Sequence, residues 1–351
     1  MGRLTKSSSK IILLLAFSLG LGSVLVPRFA NRRESSVIAQ PPLTSVEQPV
    51  TAIPLLGPIA DRESELSGLA WYQDHLILLP QYPERLGNVL FVLSKSEVLA
   101  FLSGDSSDAL APKEIALMSP DFAEQIEGFE GFEAIAFTNN QAFLTIEAET
   151  SSGAMGYIVT GILSADLSQI TIAPSTIAIS PPQSDSLNKA DEALLLTNEQ
   201  LVSIYEVSGE QLNPTPQMNA FDFDLSPIGA VPFPTIEYRI TDATALDADN
   251  RFWAINYFYP GDRDLLPDRD AIALRHGRGT THRQQAHVER LVEFAYDAAG
   301  ITQTDTTPIQ LLLEDDGRNW EGIARLDNQG FLLVTDKFPE TILGFVEKPD
   351  E

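Results

Sequence analysis

Carboxylates recur in this chain at two fixed places of a short repeated segment. Residues 133–147 read EAIAFTNNQAFLTIE and residues 192–206 read EALLLTNEQLVSIYE, each opened and closed by glutamate. Three further segments share the form: SGLAWYQDHLILLPQ from Ser67, DATALDADNRFWAIN from Asp242 and EGIARLDNQGFLLVTD from Glu321. The openers are therefore Ser67, Glu133, Glu192, Asp242 and Glu321. The closers are Gln81, Glu147, Glu206, Asn256 and Thr335, the last followed by Asp336. Carboxylates brought within several ångströms of one another repel by roughly 1 to 4 kcal/mol per pair, depending on the local dielectric. Such a crowd needs protons, basic partners or a metal ion. Lys189, Arg325 and Lys337 are the nearest bases, too few for the whole set. Ca²⁺, which takes carboxylate and carbonyl oxygens, is the expected ligand.

What would gather these residues is a repeated β-structure. Each segment is an apolar run, a polar turn, a second apolar run and a polar residue. The turns (YQDH, TNNQ, TNEQ, DADNR, DNQG) are rich in the Asn, Asp and Gln that hairpin backbones tolerate. Five β-hairpins follow. Further strand-like runs fill the intervals: NVLFVLS and KEIALM, GYIVTGILSA and ITIAPSTIAIS, MNAFDFDL and TIEYRI, HVERLVEFAYD and PIQLLLE. Only TILGFVE remains after the fifth hairpin, whereas PVTAIPLLG at 50–58 is a strand with no hairpin before it. The expected fold is all-β, a β-propeller of five four-stranded blades closed by that N-terminal strand. Six blades is the alternative, should 258–300 hold a divergent one. No run shows a convincing helical period.

In a propeller the start of each innermost strand and the end of the second meet at one rim. The repeat therefore predicts a channel mouth crowded with acid, with Glu133, Glu147, Glu192, Glu206, Asp242, Glu321 and Asp336 as its metal ligands. The competing reading has each carboxylate accepting backbone N–H groups of the next blade and locking the ring.

The rest of the chain sets bounds. Its 351 residues, 44% hydrophobic and 21% charged, describe a globular protein. A formal charge of −26 argues against nucleic acid as a partner. With no cysteine, disulfides, thiolate metal sites and thiol nucleophiles are excluded. Residues 1–40 read as an export signal or N-terminal anchor: Arg3, Lys6 and Lys10 precede the uncharged IILLLAFSLGLGSVLV. Residues 41–49 read as a linker and 50–351 as the propeller domain. The expected location is periplasmic, secreted or anchored by that segment, with membrane contact only through it, and the expected state is a monomer.

The blade segments SELSGLAW, GFEGFEAIAF, ITDATALDADNRFWAIN and NWEGIARLDNQGFLLVTD resemble those of the phytase-like (esterase-like activity of phytase) family, over most of residues 60–347. The resemblance implies an exported propeller and phosphoester or ester hydrolysis. With it, Ca²⁺ at the mouth would polarise a phosphoryl group and generate hydroxide from water. The alternative is a non-catalytic ligand- or protein-binding propeller of the cell envelope.

Residues 262–290 form a basic excursion carrying Arg263, Arg269, Arg275, Arg278, Arg283 and Arg290 with His276, His282 and His287. It reads either as a lid over the mouth, with Arg275 and Arg278 clamping a small anionic substrate or envelope ligand, or as a solvated loop paired with its own aspartates. RHGRGTT at 275–281 only begins like a histidine-phosphatase signature. No GxSxG elbow, P-loop or dinucleotide pattern is present. Tyr82, Trp253, Tyr257, Tyr259 and Trp320 fall near strand ends and are candidates either for a pocket wall or for blade-to-blade packing.

Overall fold

In the computed structural model, which describes residues 44–151, 153–184 and 188–349, all five repeats fold as antiparallel hairpins. The expected leader, 1–40, lies outside the described residues. Blade one comprises Leu66–Tyr72, His75–Pro80, Val89–Ser94 and Lys113–Met118. Blade two comprises Phe129–Thr138, Gln141–Thr150, Gly153–Leu163 and Gln169–Ser180. Asp191–Leu196, Leu201–Tyr205, Gln217–Phe221 and Pro227–Pro232 make blade three. Blade four has Arg239–Ala243, Arg251–Phe258 and Val288–Asp297, with Gly300–Gln303 and Ile309–Leu311 sharing its outer edge. In blade five, Trp320–Leu326, Gly330–Thr335 and Leu343–Glu347 are joined by Thr51–Ile53 from the other end of the chain.

That last pairing, Thr51 opposite Phe345 and Ile53 opposite Leu343, is the expected closure of the ring. Part of the segment expected to be a linker also joins the sheets, since Glu47–Gln48 pairs in parallel with Ile309–Leu311 of blade four.

Five apolar clusters, one between each pair of neighbouring blades, hold the ring together. Ile77, Leu90 and Phe132 lie in the first-to-second layer, Phe143, Leu194 and Leu201 in the second-to-third, and Val202, Phe252 and Phe294 in the third-to-fourth. Trp253, Trp320 and Leu333 fill the fourth-to-fifth, and Leu326, Leu332 and Leu78 the fifth-to-first. A fifth layer that rejoins the first leaves no place for a sixth blade. Residues 258–300, where one could have hidden, instead carry the short helix Ala271–His276 and two single turns before returning to blade four.

Two elements depart from the sequence reading. TIEYRI, expected as an outer strand of blade three, supplies Arg239–Ala243, the innermost strand of blade four; blade three takes Pro227–Pro232 instead. A helix, Lys95–Leu102, follows the third strand of blade one and starts with a capping box. The Ser94 hydroxyl accepts from the Glu97 N–H, and the Glu97 carboxylate accepts from the Ser94 N–H.

Candidate functional site

Every inner hairpin breaks register at its opener. The shifts fall between Leu66 and Gly68, Phe132 and Ile135, Asp191 and Ala193, Ile240 and Ala243, and Trp320 and Gly322. Ser67, Glu133, Glu192, Asp242 and Glu321 thus sit on five equivalent β-bulges, which re-aim a side chain that a regular strand would commit to one face. A small residue follows each opener: Gly68, Ala134, Ala193, Ala243 and Gly322. Five inner strands converge there. A Cβ on Gly322 would stand 2.6 Å from Val334 Cγ2 and 3.0 Å from the Leu69 nitrogen, and one on Gly68 3.2 Å from the Glu133 carbonyl oxygen. A small residue after the opener is therefore what a narrow five-stranded channel requires at its mouth.

The mouth is a cavity of about 720 Å³ to which all five blades contribute. Ser67 and Gln81 come from blade one, Glu147 from blade two, Glu192 from blade three, Arg239 and Tyr257 from blade four, and Glu321 with Asp336 from blade five. Three openers, Ser67, Glu192 and Glu321, and two closers, Gln81 and Glu147, meet at this rim.

Arg239, which the sequence reading missed, stands among the acids. Its guanidinium pairs with Glu206 through Nε, lies 3.3 Å from Glu321 Oε1 through Nη2 and donates to Asn319 Oδ1 at 3.5 Å through Nη1. Lys189 Nζ is 3.9 Å from the other oxygen of Glu206. A signal for this existed. Lys189, Arg239 and Arg318 each lie three residues before an opener in consecutive blades, but assigning TIEYRI to the preceding blade hid it. Arg318 serves the wall behind the mouth, where Glu289 accepts from its Nε and Nη2 and from Trp320 Nε1 at 2.8–3.0 Å.

Protons meet the rest of the charge. Burial and then neighbouring Glu206 push Glu147 up to about 8, against the pull of Lys189 and Arg239. Burial pushes Glu321 up to about 8 as well, with Arg239 opposing and Asp336 reinforcing the rise. Glu133 and Glu192 are buried and lie well above the usual carboxylate range, Glu133 raised further by Glu147 and Glu192 by Glu206. Asp336 is half-buried and raised mainly by burial, while its carboxylate accepts the Phe338 N–H at 2.7 Å. Two oxygens stand out: Glu147 Oε1 and Glu321 Oε2 are buried and have no hydrogen-bond partner among the described residues.

Of the seven expected metal ligands, Glu147, Glu192, Glu321 and Asp336 line the cavity, while Glu133, Glu206 and Asp242 do not. Glu133 accepts from Gln81 Nε2 at 2.8 Å. Asp242 is a lock: its Oδ2 accepts the Ile323 N–H of blade five and its Oδ1 the Ala243 N–H, each at 2.7 Å. Three of the expected ligands already have partners: Arg239 occupies the gap between Glu206 and Glu321, and Asp242 is spent on backbone. Among the described residues no three Asp, Glu or His side chains form a group able to hold a metal ion.

The lid is corrected as well. Arg275 is paired with Asp305 at 2.5 Å and Arg278 lies 3.8 Å from Asp270, and neither reaches the mouth. The excursion packs against the outer edge of blade four. There Gly279 N–H donates to Gln310, Gln310 donates to the Gly277 carbonyl, and Glu47 accepts from Thr281 and His282. Of the excursion only Asp262 borders the cavity, beside Tyr259 just before it. Of the aromatic candidates, Trp253 and Trp320 are core, Tyr82 packs under Arg85, and Tyr257 and Tyr259 line the mouth.

No protein-family profile matches the chain, and no curated protein sequence does. Among solved structures it is similar to an exo-1,5-α-L-arabinanase from a bovine ruminal metagenomic library, at 10% identity and TM-score 0.45 over 85% of this chain and 97% of that one. It is similar also to the catalytic domain of a Coprinopsis cinerea GH62 α-L-arabinofuranosidase (8%, 0.45, 87% and 98%) and to a Bacillus licheniformis GH43 endo-arabinanase (10%, 0.43, 83% and 94%). The resemblance to phytase-like proteins is overturned: no such family profile matches, and the solved structures named above are glycoside hydrolases. The segments that carried it are the bulged hairpin and its small residue, which channel packing itself demands.

Proposed function

We propose that the mouth is a general acid–base site that hydrolyses a glycosidic bond in a neutral, polyhydroxylated substrate. One observation carries this reading: Glu321 lines the cavity with an unpartnered buried oxygen on a carboxyl that keeps its proton to about pH 8, while Asp336 borders the same cavity. Two carboxyls in unequal environments are what acid–base hydrolysis of an acetal requires. Glu321 donates its proton to the departing glycosidic oxygen as the C–O bond breaks. Asp336, half-buried and wetter, takes a proton from the water that forms the new C–O bond. Asn319 donates to Glu321 Oε1 at 2.5 Å and fixes its direction. Ser67, Gln81, Asn188 and Tyr257 on the same wall add neutral donors and acceptors that suit hydroxyl groups.

The test is turnover of a panel of p-nitrophenyl pentosides and hexosides. Activity that falls above pH 8, with kcat lowered about 10²- to 10⁴-fold in both Glu321→Gln and Asp336→Asn, supports the assignment. Saturable binding without turnover of any glycoside would make the mouth a receptor site and remove the hydrolytic reading.

A further inference from the structure

Two aromatic rings stand open at the rim of the cavity, and the acid–base chemistry uses neither. Tyr259 is 56% exposed and Phe338 is 48% exposed, yet both line the mouth. Exposed aromatics are usually free to swing; these are braced. Tyr259 is crowded against Gly261 at one edge of its ring, where a Cβ on the glycine would stand 2.2 Å from Cε1 and 2.9 Å from Cδ1. The turn beneath is fixed by Asp262 N–H donating to the Tyr259 carbonyl at 3.0 Å and Arg263 N–H to the Gly261 carbonyl at 2.9 Å. Phe338 is held through its own backbone, its N–H on Asp336 and its carbonyl accepting from Asn319 N–H at 3.1 Å. Arg62 covers one side of that ring, 5.0 Å from its centroid, and is tied down by donating from Nε to the Lys337 carbonyl at 2.7 Å. Lys337 Nζ lies 6.0 Å from the same centroid, so each ring is braced on one side and still leaves about half of its residue's surface in water.

We propose that Tyr259 and Phe338 form a stacking platform for further sugar rings of an oligosaccharide chain that extends out of the acid–base centre. The inference rests on the hydrolytic reading for the identity of the sugar, and adds that the ligand is a chain and not a single residue. A sugar ring presents an apolar C–H face that packs on an aromatic face, and its hydroxyls turn to polar groups at the ring edge. Here those groups are Asp262, Asp316 and Asn319, which border the same cavity. A rigid platform binds more tightly than a mobile one because little side-chain freedom remains to be lost. The overall charge of −26 favours a neutral chain over a polyanionic one.

Affinity electrophoresis of the intact protein tests this in gels containing soluble arabinan, xylan or mixed-linkage β-glucan. Glu321→Gln serves as background so that the polysaccharide is not degraded. Retardation by at least one of them is expected, with the dissociation constant rising about tenfold in Tyr259→Ala and in Phe338→Ala, the worth of one aromatic stack. Tyr259→Phe keeps the ring and should bind as the background does, which a role for the hydroxyl would not allow. The platform is overturned if no polysaccharide retards the protein, or if both alanine variants, folded by near-UV circular dichroism, migrate like the background. Retardation lost in the alanine variants of a protein that cleaves no aryl glycoside leaves the platform standing and removes hydrolysis. Aryl-glycoside turnover with unchanged retardation does the reverse.

Discussion

Replacing Glu321 by Gln separates the proton from the shape of the mouth. The amide oxygen can still accept from Asn319 Nδ2 and Arg239 Nη2, the two donors that now meet Oε1, and the group stays neutral at every pH. In the native protein a carboxyl that ionises at about 8, instead of its ordinary 4.5, holds a proton that the unfolded chain has released. The native state then binds more protons, so stability falls as pH rises. The contribution is fully present below about pH 4.5 and is gone once pH has passed through 8. Its slope is about 1.4 kcal/mol per pH unit for each such group. Between pH 6 and 9 that integrates to about 3 kcal/mol for one such group. Urea unfolding at half-unit steps from pH 6 to 9 measures the slope directly. Glu321→Gln should flatten it by about 2 to 3 kcal/mol over the interval, and Glu147→Gln by a comparable amount. A wild-type curve that is level over this range, or a Glu321→Gln curve parallel to it, would refute the claim that these carboxyls are buried with their protons.

Three further outcomes follow from the same geometry. Arg239→Met leaves Glu206, fully buried, with only Lys189 at 3.9 Å. Urea unfolding should show a loss of about 3 to 5 kcal/mol, and the alkaline limb of the pH–rate profile should move up, since Arg239 holds the Glu321 pKa down. Gly322→Ala places a methyl 2.6 Å from Val334 Cγ2 and should cost about 1 to 3 kcal/mol, read as a lower thermal midpoint. Dialysis against EDTA should leave the thermal midpoint unchanged, and Ca²⁺ titration should give no saturable heat, because Arg239 takes the place of a cation between the carboxylates. A saturable heat abolished by Glu147→Gln would contradict that account.

The ring was legible in the sequence because a propeller writes its inner hairpin once per blade. The turn residues, the openers and the orphan strand at 50–58 each had one consistent placement. The charge balance was not legible, for two physical reasons. Arg239 belongs to the blade after the one its neighbours seemed to complete, so it could not be set beside Glu206 before the strand order was known. Burial, which turns a row of acids into proton holders, is also a property of packing rather than of residue type. Asp242 looked like Glu133 and Glu192 in the repeat, yet only the fold shows that its oxygens are spent on the neighbouring blade. The helix Lys95–Leu102 escaped because it lies between two strands of one blade, although Ser94 and Glu97 form a readable capping pair.

Glu47–Gln48 on blade four and Thr51–Ile53 on blade five are consecutive in the chain, but their partners lie some 260 to 290 residues later. During synthesis this first stretch of sheet emerges with nothing to pair with, and until the last strand is made the nascent protein is an open stack with two free edges. Such an order makes closure the late, slow step and leaves the unfinished ring exposed to pairing with other chains. Once both stitches are in place, one continuous thread runs across blades four and five and into blade one, whose seam with blade five is the last to be made. Losing the last few residues of Leu343–Glu347 would then release not only the third strand of a blade but the lock on the whole circle.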